Sequence, residues 1–150
     1  MSYLAVRPDG RWQYVAASYQ GIKDGLDGAT FDHVTVAEDV GIFCDDEGMM
    51  SGMDLNVPAA LFIGIVLYGP VVLVGGVDGN GDTQPPPERA VTMLVALADR
   101  WREVVEDGIS KGQDVTVRAD AATIPPPEVI AMTDEEFQGF LNGTWRPGRA

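Results

Sequence analysis

A chain of 150 residues with 45% hydrophobic and 22% charged side chains has the balance of one globular domain, which at this length buries roughly 70% of the surface exposed by its unfolded chain. Its formal net charge of −13 repels nucleic-acid phosphates and anionic lipid, which excludes direct nucleic-acid reading and membrane-surface binding. One cysteine and one histidine exclude an internal disulfide and leave zinc or nucleophilic chemistry without its usual partners.

Residues 2 to 16, "SYLAVRPDGRWQYVA", set two β-favourable runs around Pro-Asp-Gly and predict a hairpin. The start lacks the basic and continuously apolar segments of a secretion signal, so a cytoplasmic protein is expected. In "SYQGIKDGLDG" (18 to 28), Ser18 is a cap, Tyr19, Ile22 and Leu26 recur at helical spacing, and Gly28 is a stop. Gly21 and Gly25 weaken this short helix.

"FDHVTV" (31 to 36) alternates as a strand, with Phe31, His33 and Thr35 on one face. "VGIFC" (40 to 44) is the next strand. Cys44 reads as a small buried hydrophobe and His33 as a strand residue with no catalytic neighbour in sequence.

Then comes "DDEGMM". Asp45, Asp46 and Glu47 could bind a cation or a partner, although neighbouring carboxylates in a turn usually point apart and stay solvated. Met49 and Met50 are core filler or an adaptable binding surface. With Trp145 near the C-terminus, these residues are the candidate binding set.

The apolar run 57 to 68 reads as a buried helix with Pro58 near its start, too short to span a bilayer. "VVLVGGV" (71 to 77) has the pattern of a central strand. Asp78, Asn80 and Asp82 place oxygens at alternate positions, as in a calcium loop. However, Thr83 and Arg89 stand where that loop needs Gly and a bidentate Glu, so an ordinary Asx-rich turn competes with a calcium site. No cofactor other than calcium is suggested.

From Glu88 to Asp107, Ala90, Leu94, Leu97, Trp101 and Val104 recur at steps of three and four, which predicts an amphipathic helix ended by Gly108. "DVTVRA" (114 to 119) reads as an edge strand, and "TDEEFQGFLNG" (133 to 143) opens with a capping box. "TQPPPE" and "TIPPPE" start elements and do not mark a duplicated domain.

These elements predict a single α+β domain: a mixed or mostly antiparallel sheet of about five strands with two main helices on one face. The domain is placed at 1–120, followed by a proline-rich C-terminal extension at 121–150.

The run "VGIFCDDEGMMSGMDLNVPAALF", followed by "YGPVVLVGGVDGNGDT", resembles a family known only as a domain of unknown function, frequent in actinobacteriophages and their hosts. The resemblance covers about 31–84 and rests on Asp46, Glu47, Gly48, Gly52, Asn56, Gly69, Pro70, Val72, Val74, Gly75, Gly81, Asp82 and Thr83. It implies a phage-encoded or phage-derived protein of the bacterial host cytoplasm and no particular activity.

The leading expectation is a non-enzymatic, acidic accessory protein that binds and modulates a host protein, with an anti-defence role included. A binder or sponge for a nucleotide signal is one alternative, using a rim near 75 to 82 with Arg89 and Arg118. A virion component is another, and a homo-oligomer stays open.

Overall fold

The computed structural model describes residues 2–27, 31–45 and 52–112. Two hairpins come first and third in the chain: β1 (Ser2–Val6) with β2 (Trp12–Ala16), and β3 (Phe31–Ala37) with β4 (Val40–Asp45). Helix α1 (Tyr19–Gly25) joins them, and α2 (Val57–Ile63), β5 (Val71–Gly75) and α3 (Glu88–Ser110) follow. Strand β5 enters between the hairpins to give one five-stranded sheet in the order β2-β1-β5-β4-β3, with every pairing antiparallel.

The continuous apolar run of β5 suits a strand covered on both faces. Leu4, Leu73 and Ile42 stand side by side across the three inner strands, and none is exposed. With Val6, Val40, Cys44 and Val71 they form the face against which α2 and α3 pack through Ala59, Ala90, Leu94 and Ala98. A second cluster joins the two helices through Leu55, Val57, Leu61, Leu97, Trp101 and Val105. Each fully buried side chain of this size contributes about 1.5–3 kcal/mol relative to exposure.

Two main helices therefore cover one face, and α1 covers part of the other. Tyr3, Ala5, Val72 and Val74 alternate onto that side and meet Ile22 and Leu26. The glycines that weaken α1 as an isolated helix are what let it dock. A Cβ at Gly21 would collide with the Ala16 carbonyl, and one at Gly25 would lie 2.6 Å from Val72 Cγ2. Ser18 caps the helix, its Oγ accepting from Gly21 N–H at 3.1 Å.

Three boundaries differ from the sequence pattern. Helix α2 stops at Ile63 and not at 68, because Gly64 takes a left-handed conformation at φ 83° that ends a helix without steric cost. The chain then turns back, and Leu55 bridges Tyr68. Strand β5 ends at Gly75; Val77 leaves the sheet, is exposed, and bridges Thr83 across the following loop. Helix α3 runs through Gly108 to Ser110, since Gly108 lies on the buried side with Trp101 and Val105 at helical spacing. The expected strand at 114–119 and helix at 133–143 lie outside the described residues.

Candidate interaction surface

Among the described residues, helix α1 packs mainly on β1, β2 and β5, and the side chains of the β3–β4 half of that face flank its cluster, Phe31 and Phe43 packing against it. Those side chains are rings. Tyr19, at the start of α1, lies 5.6 Å from Phe31; Phe31 meets Phe43 edge-on at 5.3 Å; and His33 meets Phe43 at 5.0 Å. The β3–β4 register sets His33 opposite Phe43 and Thr35 opposite Gly41. Gly41 makes room for the imidazole: a Cβ there would come within 2.5 Å of His33 Nε2.

Tyr19 is 68% exposed, and Lys23 Nζ stands 5.7 Å from its ring centroid. His33 is exposed, and Phe31 and Phe43 are half-buried. This row offers ring faces and edges suited to apolar, aromatic or cationic side chains. Asp45 closes it at the end of β4, opposite Phe31.

The candidate binding residues Asp46, Glu47, Met49, Met50 and Trp145 lie outside the described residues, as does Arg118. Met53 packs against the α2–α3 cluster. The strand alternation already placed Phe31 and His33 on one face. What the sequence did not supply was the β3–β4 register, which adds Phe43, and the docking of α1, which adds Tyr19.

At the other end of this side, Ala5, Arg7, Arg11, Trp12, Gln13 and Gly25 line a cavity of about 330 Å³. Arg7 grips Asp27 through two bonds of 2.7 and 3.0 Å. That hydrogen bond raises the Arg7 pKa further, against a smaller opposing effect of burial. Arg11 faces Asp9 at 3.5 Å. Arg89, which the nucleotide alternative would use for phosphate, pairs with Asp39 at 2.7 and 2.8 Å.

In the 78–82 loop the Asp78 carboxylate is engaged by its own chain. Oδ1 accepts from Asn80 and Asp82 N–H at 2.8 and 3.0 Å, and Oδ2 accepts from Gln84 Nε2 at 2.9 Å. Tyr3 donates its hydroxyl to the Thr83 carbonyl at 3.1 Å; burial foremost, and then the Asp82 charge, raises its pKa. Among the described residues no three His, Cys, Asp or Glu side chains are grouped to hold a metal ion. No helix among them is long and apolar enough to cross a membrane.

The fold and this surface define a single α+β domain whose sheet carries a partly exposed row of rings beside α1. The chain belongs to DUF3846, a domain of unknown function, whose family model matches residues 1–98. That match takes in both hairpins, α1, α2, β5 and the first half of α3, a wider span than the motifs at 31–84. No curated protein and no solved structure matches the chain.

Proposed function

We propose that the protein is a small acidic accessory protein that acts by binding and modulating a host protein in the bacterial cytoplasm, with anti-defence as one such role. The observation that carries this reading is the partly exposed ring row of Tyr19, Phe31, Phe43 and His33 on the half of the sheet beside α1. Exposed aromatic clusters are over-represented where one protein grips another. The phage setting rests on the resemblance of residues 31–84 to a family frequent in actinobacteriophages.

The test is a tagged pulldown from actinobacterial lysate, read by mass spectrometry at low and moderate salt, with wild type beside a Tyr19→Ala/His33→Ala variant. One stoichiometric host protein that survives moderate salt and is lost with the variant supports the reading. An empty pulldown, or capture indifferent to the variant, counts against it. A version in which the acidic surface imitates double-stranded DNA requires capture that salt and competing DNA abolish.

A second reading, binding of a small anionic ligand such as a nucleotide, is favoured by the 330 Å³ cavity with Arg7, Arg11, Trp12 and Gln13 on its walls, near the lower end of ordinary ligand-site volumes. It requires a nucleotide to raise the melting temperature and Arg11→Ala to remove that shift.

A further inference from the structure

The two edges of the sheet are built differently. Strand β3 carries Asp32 and His33, and its register slips between Thr35 and Ala37. Charge and irregularity are the devices by which edges avoid pairing with other chains. Strand β2 has neither. Its residues Trp12, Gln13, Tyr14, Val15 and Ala16 include no charge, proline or glycine, and its pairing with β1 is regular.

The ladder decides which groups of β2 face outward. Arg7 N–H donates to the Arg11 carbonyl at 2.8 Å, so Arg7 and Arg11 are a hydrogen-bonded pair. By the alternation of antiparallel pairs, Gln13 and Val15 then face β1, while Trp12, Tyr14 and Ala16 turn their N–H and C=O outward. The Ala16 carbonyl is taken by Ser18 N–H at 2.9 Å. Among the described residues, Trp12 and Tyr14 remain without a main-chain partner on this side, with rings 5.9 Å apart at 81°, and Tyr14 is 57% exposed.

We propose that a second copy of this chain pairs antiparallel along β2, about a two-fold axis through Gln13. Trp12 then exchanges main-chain hydrogen bonds with Tyr14 of the second copy, and Tyr14 with its Trp12. The two outward residues are symmetric about Gln13, so the same strand reversed satisfies both, and ring meets ring across the seam, a favourable cross-strand pair.

Charge allows the contact despite the net −13. No acid lies on β2, and the exposed Arg11 of each copy meets an acidic protein while standing opposite Val15. Each five-stranded sheet becomes half of a continuous one, order β3-β4-β5-β1-β2 and back. The β3–β4 ring rows lie at its far ends, so the dimer presents two of them and gains avidity for a target that offers two sites. The dimer itself is independent of what those rows bind.

The experiment is sedimentation of the full chain over a range of concentrations at low and moderate salt. A dimer is expected, its fraction rising with concentration and also with salt, because screening removes long-range repulsion between acidic copies. Tyr14→Pro removes an outward N–H that takes no part in the β1 ladder and is expected to weaken the dimer about tenfold or more, with the far-ultraviolet circular dichroism unchanged. Should that variant misfold, Tyr14→Asp, which keeps the backbone and adds a charge to each side of the seam, decides with the same expectation. A wild-type chain that stays monomeric throughout, or a dimer indifferent to the Tyr14 change, overturns the proposal.

Discussion

The side-chain amide of Asn56 donates to the main-chain carbonyl of Val6 at 3.0 Å, across fifty positions of sequence. The same nitrogen donates to the Gly69 carbonyl at 3.0 Å, and Oδ1 accepts from Ala59 N–H at 3.1 Å. One fully buried amide thus caps α2 and pins it to the end of β1 and to the turn before β5.

Replacing Asn56 by Ala is expected to cost about 2–4 kcal/mol in urea unfolding, since it removes a cap and leaves buried carbonyls unpaired. Asn56→Asp adds a pH dependence. A carboxylate facing two carbonyls in a dry site has its folded pKa raised above the unfolded value of about 3.9. The variant is then most stable below that value and loses stability as pH rises through the folded pKa. Loss of stability on acidification instead would contradict the assigned donors.

Two glycines of the sheet predict opposite severities. At Gly41 the obstacle to a Cβ is the tip of the exposed His33 ring, whereas at Gly75 it is the Pro85 and Gln84 carbonyls of the chain entering α3. Gly41→Ala should cost about 1 kcal/mol or less, because a surface ring can swing aside. Gly75→Ala should cost about 2–3 kcal/mol, because backbone must move. Denaturation midpoints of the two variants, measured side by side, check the order.

What was legible in the sequence follows from how local each signal is. The Ala90, Leu94, Leu97, Trp101 spacing gives α3, because a helical stripe needs no knowledge of its partner. The Pro-Asp-Gly turn gives the first hairpin and the alternation of 31–36 gives β3 in the same way. Gly108 misled because the stop residue of an isolated helix became a small residue on a packed face. The partner of Arg89 was not legible, because Asp39 is its neighbour only after folding. The ring row is the clearest case: Phe31 and His33 share a strand, but Phe43 and Tyr19 join them through pairing and docking.

The Arg89–Asp39 pair makes a prediction about titration. The hydrogen bond from Arg89, foremost among several causes, holds the Asp39 carboxyl below its ordinary pKa. A carboxylate whose folded pKa is depressed contributes stability above its unfolded pKa and loses it as pH falls through the folded one. Arg89→Gln should therefore raise the Asp39 titration midpoint in a carbon-detected NMR titration. The stability difference between variant and wild type should shrink below about pH 4. A midpoint indifferent to Arg89 would mean that the pair does not persist in solution. Both side chains are largely exposed, so its effect on unfolding is expected to be small and salt-sensitive.

The acidic loop after β5 predicts a result for calcium. Asp78 already satisfies both carboxylate oxygens with Asn80 and Asp82 N–H and with Gln84, and Asp78 N–H donates to the Asp82 carbonyl at 2.9 Å. A cation would have to replace these bonds, and the sequence provides no bidentate Glu at the far end of the loop to compensate. Millimolar calcium and a chelator should therefore give the same melting temperature, whereas Asp78→Ala should lower it in both by about 1–2 kcal/mol of stability as the turn loses its acceptor. A calcium-dependent rise that disappears with Asp78→Ala would reverse this assignment and make the loop a metal site. Asp78→Asn separates the two further: it keeps an acceptor for the Asn80 and Asp82 N–H groups while removing the charge a cation needs, so a stability close to wild type is the outcome expected of a turn.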